Sequence, residues 1–183
     1  PSLSLHPSEE VALGDTVTLQ CHVPRSGVRV SFYKDGNGTH PWHVDGVKDT
    51  GELVTEATRR AAGRYRCRYE IPASSWYSEL SDPVDLVVQD PSYPPPIVSL
   101  SPGGHVKTGT DVTISCRSSY GATFFLHKNG GSVPIQQQRL DRGHTATFIL
   151  PGVTEDDAGT YGCSYRPREN PFISSHPRAE VTL

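Results

Sequence analysis

The chain has 183 residues, a formal net charge of −3 and 34% hydrophobic residues, which accommodates one large domain or two of about 90 residues. A weakly acidic balance argues against nucleic acid as the main partner, and no apolar run approaches the roughly 20 residues of a membrane helix. With 17 Gly and 16 Pro the chain is interrupted too often for long helices, so short strands around two small cores are expected.

The first stretch, "PSLSLHPSEEVALGDTVTLQC" (residues 1–21), has a near copy in "PIVSLSPGGHVKTGTDVTISC" (96–116), 95 residues later. In both, apolar residues alternate with polar ones into the cysteine: Val17, Leu19 and Cys21, then Val112, Ile114 and Cys116. That period of two is the mark of a half-buried strand. "AGRYRCRYE" (62–70) likewise matches "AGTYGCSYR" (158–166). The chain is therefore a tandem repeat. Its predicted domains are residues 1–90 and 96–183, joined by a short proline-stiffened linker, 91–95, within "QDPSYPPP".

The four cysteines, at 21, 67, 116 and 163, form no CxxC pair, which disfavours a zinc ribbon or a thioredoxin-type site. Two long-range disulfides in an oxidising compartment fit better, each stabilising its domain by about 4 kcal/mol. Tyr65 and Tyr161 each precede the second cysteine of a half by two residues. This is the tyrosine corner and inter-sheet disulfide of an immunoglobulin-type sandwich, here two tandem C2-type all-β domains. The expected strand-C tryptophan is replaced by Phe32 and Leu126, and the aspartate of D-x-G-x-Y-x-C, present as Asp157, is Ala61 in the first half.

Between strands C and E of the first half lies "NGTHPWHVDG" (37–46), with two histidines, a tryptophan and an aspartate. Asn37 heads the one N-glycosylation sequon. If residues 39–45 form an edge strand, His40, Trp42 and Val44 lie on one face while Pro41, His43 and Asp45 lie on the other. The two histidines then cannot share one ion, and no metal or other cofactor is expected. Trp42 either packs on its own domain, as the matching Ile135 would, or contacts a ligand. The histidines are scattered and accompany no nucleophile elbow or carboxylate pair, so no enzyme is expected.

With Tyr65, Cys67 and Tyr69 inward on strand F, Arg64, Arg66 and Arg68 point outward; strand C adds Arg29 and Tyr33 to the same face. The matching positions in the second half are Thr160, Gly162 and Ser164. The first domain thus carries a basic and aromatic face, which is either solvated and paired with Glu70 and nearby aspartates or a docking face for a partly acidic protein surface.

"SLSLHPS", "FFLHKNG", "AGTYGCSYR" and "WYSELSDPVDL" (76–86) resemble the leukocyte-receptor Ig-like family, which includes killer-cell and leukocyte Ig-like receptors, the IgA Fc receptor, platelet glycoprotein VI and the chicken Ig-like receptors. The family's W-S-x-x-S motif is present with one residue inserted, as Trp76-Tyr77-Ser78-Glu79-Leu80-Ser81, and decays to Phe172-Ile173-Ser174-Ser175 in the second half. "YPPPIVSLSP" (93–102) resembles the avian members most. The resemblance implies a type I membrane receptor ectodomain on an immune cell, bent at its linker. Its implied ligand is a protein: antibody Fc first, with MHC class I, collagen or a self-adhesive contact as alternatives.

A signalling adaptor or tail would lie beyond residue 183, and the chain, lacking an initiator Met and a signal peptide, reads as a processed or excised fragment. Killer-cell receptors bind MHC at the linker end, where a glycan on Asn37 would crowd the surface. An Fc-receptor-like contact would use the far tip and face of the first domain. The candidate ligand-binding residues are Arg25, Arg29, Tyr33, Trp42, His43, Arg66, Arg68, Glu70, Trp76 and Tyr77.

Overall fold

The computed structural model describes residues 1–36, 41–131, 133–175 and 179–183. The chain divides into two compact units, Pro1–Gln89 and Asp90–Leu183. Tyr93 and Pro94 of the proline-rich segment serve the second unit: the Tyr165 hydroxyl donates to the Pro94 carbonyl at 2.6 Å, and the Tyr93 ring meets Tyr120 edge-on, centroids 6.1 Å apart.

The first unit contains β1 (Ser2–His6), β2 (Glu10–Ala12), β3 (Thr16–His22), β4 (Val28–Lys34), β5 (Trp42–Val47), β6 (Thr50–Glu56), β7 (Gly63–Ile71), β8 (Trp76–Tyr77) and β9 (Val84–Asp90). One sheet has the order β1-β3-β6; the other runs β9-β7-β4-β5, with β8 beside β7 and β2 parallel to β9. The first strand changes sheets at the cis His6–Pro7 bond, because proline cannot donate to the β1–β3 ladder.

Buried Val17, Leu19 and Cys21 of β3 face Val30, Phe32, Tyr65, Cys67 and Tyr69 of the other sheet, and Cys21 is bonded to Cys67. Phe32, fully buried and paired in register with Cys67, takes the place of the absent tryptophan. Gly51, opposite Cys21, permits the sheets to approach: a Cβ there would lie 3.0 Å from Cβ of Val30.

The second unit repeats the plan with β10 (Ile97–Ser101), β11 (Val112–Arg117), β12 (Gly121–Lys128), β13 (Gln136–Arg139), β14 (Thr145–Leu150), β15 (Thr160–Pro167), β16 (Ile173–Ser175) and β17 (Ala179–Thr182). Its sheets are β10-β11-β14 and β13-β12-β15-β17. Cys116 is bonded to Cys163, beside buried Leu126.

Both tyrosine corners are closed. Tyr65 donates to the Ala61 carbonyl and Tyr161 to that of Asp157, four residues upstream in each case. Burial pushes the Tyr65 phenol up to about 12. The turns before the two corners differ in their side-chain bonds: in the first half the Thr58 hydroxyl accepts the Ala61 N–H at 3.0 Å, and in the second the Asp157 carboxylate accepts the Thr154 N–H at 2.8 Å. Gly63 and Gly159 open the strands that follow at φ 156° and 146°, conformations that a side chain disfavours.

Candidate functional site

The outer face of the first unit's β5-β4-β7 layer follows from strand parity. With Phe32 and Val30 buried, Arg29, Ser31 and Tyr33 project outward, and ladder partners share a face: Arg29 lies opposite Glu70, Ser31 opposite Arg68 and His43, and Tyr33 opposite Arg66. Tyr77, opposite Glu70, joins them from β8. Seven of the candidate residues are thus brought together: Arg29, Tyr33, His43, Arg66, Arg68, Glu70 and Tyr77.

The other three stand elsewhere. Trp42 lies opposite Phe32, on the sandwich side of the sheet, yet it is 38% exposed because β5 is the edge strand. Its counterpart by register is Gln136, which pairs with Leu126; Ile135 precedes β13 and is half-exposed. Trp76, opposite Ile71, packs on Tyr69 at 5.8 Å between centroids. Arg25 is exposed in the loop between β3 and β4. Asn37 and His40 lie outside the described residues.

The placement of Tyr77 is set by the W-Y-S-x-x-S segment. Ser78 Oγ accepts the Tyr69 N–H at 3.0 Å, and Ser81 Oγ accepts the Cys67 N–H at 2.9 Å. The backbone N–H of each serine donates in turn to the carbonyl of the same residue of β7, at 2.9 and 2.7 Å. Two serine hydroxyls therefore replace ladder carbonyls, and the strand bulges between Tyr77 and Val84 without leaving buried donors unpaired. Ser175 serves Tyr165 in the same way in the second unit, at 3.0 Å.

Most of the cations on the face are offset by acids. Arg29 donates to Asp45 at 2.6 Å, Arg66 to Asp35 at 2.5 Å, and Arg64 to Asp85 through two bonds at 2.8 and 3.2 Å. The Arg29 hydrogen bond holds the Asp45 carboxyl below its ordinary range, and the Asp85 bond raises Arg64. His43 Nδ1 is hydrogen-bonded to the buried Ser31 hydroxyl at 2.7 Å.

Arg68 stands apart. Its guanidinium carbon lies 4.4 Å from the Tyr77 ring centroid and 5.2 Å from that of Tyr33. Sequence reasoning found Arg68, Tyr33 and Tyr77 and expected nearby aspartate partners, but it missed Ser31 and which arginine each of Asp35, Asp45 and Asp85 meets. Of these only Asp45 carries a sequence signal, since it shares the parity of His43 on β5.

The second unit's matching face differs. His127, in the place of Tyr33, is buried, with Nδ1 3.0 Å from the Gly131 carbonyl and Nε2 3.3 Å from Ser164 Oγ. Gly162 and Ser164 stand where Arg66 and Arg68 stand in the first. Among the described residues, no group of three or more His, Cys, Asp or Glu side chains could hold a metal ion, and no helix is long and apolar enough to cross a membrane.

Immunoglobulin-domain models match residues 1–88 and residues 94–167. Immunoglobulin superfamily member 1 of Rattus norvegicus, of Mus musculus and of Homo sapiens is each 32% identical over 182 residues, which is 96% of this chain and 13% of the relative. The chain thus spans about an eighth of those proteins. Among solved structures, the human OSCAR ligand-binding domain aligns over 100% of this chain and 98% of its own, with 28% identity and a TM-score of 0.51. CHIR-AB1 is 43% identical over 48% of this chain and 96% of its own, with a TM-score of 0.43.

The chain belongs to the immunoglobulin superfamily, as two tandem disulfide-bonded domains. Within that class it is a receptor-like ectodomain similar to the OSCAR ligand-binding domain, of the kind found in extracellular or cell-surface proteins.

Proposed function

We propose that the chain is the ligand-binding ectodomain of a type I immune receptor, and that a protein ligand docks on the outer β5-β4-β7-β8 face of the first domain. The observation that carries this is the asymmetry between repeats. The first presents exposed Tyr77 with Tyr33, Arg66 and Arg68, where the second presents glycine, serine and a buried histidine. Aromatic and arginine side chains are the usual anchors of protein interfaces, and a repeat kept for architecture alone needs none of them.

Binding rather than catalysis is the chain's activity in this reading. Antibody Fc is the leading ligand, taken from the resemblance to the leukocyte-receptor family and its chicken-type members, and glycosylation of Asn37 belongs to the same reading.

The test is surface plasmon resonance of the soluble chain over immobilised antibody Fc, MHC class I and a triple-helical collagen peptide. Saturable binding to Fc that weakens on Tyr33→Ala or Arg66→Ala supports the reading. Saturable binding only to MHC class I or collagen replaces Fc as the ligand. Binding to none of them, with concentration-dependent self-association in sedimentation, would make the chain an adhesion module instead.

A further inference from the structure

Arg29, Arg64 and Arg66 each meet an aspartate of their own domain, so their charges are largely offset within the chain. Arg68 has neither an ion pair nor a hydrogen bond among the described residues, and its Nε is sealed from water with no acceptor. The guanidinium lies between the Tyr77 and Tyr33 rings, in space left clear by the small Ser31 across the ladder, whose hydroxyl is turned to His43. Arg68 as a whole is half-buried, and Nε is the one of its side-chain nitrogens that is both buried and without a partner.

We propose that this clasped Arg68 is a carboxylate receptor that takes an aspartate or glutamate side chain of the protein ligand. The inference rests on the docking face proposed above and names the chemistry at its centre. Cation–π contact with two rings holds the guanidinium in place, so little side-chain freedom is left to lose on binding. Its planar fork matches the two oxygens of a carboxylate. Partial dehydration beneath the rings weakens solvent screening of the new pair.

A single charge suits a single carboxylate. A phosphate or sulfate dianion draws several cations together, whereas here the neighbouring arginines are occupied and Glu70 shares the face. A sialic acid carboxylate offers the same fork, and the experiment separates it from a protein side chain.

Two measurements on the whole chain decide the matter. In the first, arginine side-chain NMR signals are followed while sodium acetate replaces sodium chloride at constant ionic strength. Arg68 is expected to shift saturably together with the Tyr33 and Tyr77 rings, and Tyr77→Ala is expected to abolish the response. An Arg68 response no different from that of exposed Arg142 overturns the proposal.

In the second, affinity for immobilised antibody Fc is compared among variants whose folding is verified by tryptophan fluorescence. Arg68→Gln and Arg68→Lys should each weaken binding by about tenfold to a hundredfold, while Arg142→Gln in the second domain leaves it unchanged. Neuraminidase treatment of the Fc should have no effect; loss of binding on that treatment overturns the assignment to a protein side chain.

A saturable acetate response in a chain that does not bind Fc removes Fc as the ligand and leaves the carboxylate receptor standing. Fc binding that Arg68→Gln does not weaken removes the receptor and leaves the docking face.

Discussion

Ser81 gives a quantitative test of how the interrupted last strand is held. Its hydroxyl accepts the N–H of Cys67 at 2.9 Å, and both residues are buried, Ser81 at 5% exposure and Cys67 at none. Ser81→Ala leaves that N–H buried without an acceptor, and the missing oxygen leaves too little room for a water to replace it. The cost of stranding such a donor is about 1–3 kcal/mol. For a domain of this size each kcal/mol lowers Tm by roughly 4–8 °C, so a fall of about 4–24 °C is expected.

Both tryptophans of the chain, Trp42 and Trp76, lie in the first unit, so tryptophan fluorescence during heating or urea titration reports that unit alone. Ser74→Ala, in the exposed loop before β8, is the control and should stay within about 0.5 kcal/mol of the parent. If Ser81→Ala behaved like Ser74→Ala, the hydroxyl would not be what satisfies strand β7, and the account of the motif would be wrong.

Tyr65 gives a pH dependence of defined sign. Its phenol is pushed up to about 12 by burial, so the native state keeps a proton that the unfolded chain releases near pH 10. The stability is fully present below about pH 10 and is lost as pH rises toward 12, by at most about 3 kcal/mol. Urea midpoints read by tryptophan fluorescence should fall across that window in the parent and fall less in Tyr65→Phe; equal slopes would contradict the assignment. At Gly51, a Cβ would press on Val30 at 3.0 Å. Gly51→Val should therefore destabilise the first unit by about 1–3 kcal/mol or more, and an unchanged urea midpoint would show that the sheets can part there at no cost.

The sandwich was legible because its constraints are local and repeated. Alternation into Cys21 and Cys116, the tyrosines at 65 and 161 and the glycines before them each follow from the geometry of one strand and are written twice. Parity also sorted the outward residues of β4, β5 and β7 correctly.

What parity could not supply was anything that depends on distant segments. Asp35, Asp45 and Asp85 reach their arginines from a turn, the edge strand and the last strand, 31, 16 and 21 residues away in sequence. The matching of Trp42 with Ile135 failed by one residue because an edge strand is half-exposed on both faces, so its apolar pattern is too weak to fix register. Nor could the sequence show Arg68 between its two tyrosines. That contact depends on the register of β8, which Ser78 and Ser81 set through hydrogen bonds to β7.

The central claim, that the outer face of the first domain receives a protein ligand, is tested most directly by amide hydrogen exchange of the whole chain with and without antibody Fc. Slowed exchange concentrated in β4, β5, β7 and β8 is the predicted result. Protection confined to β10–β17 would contradict it.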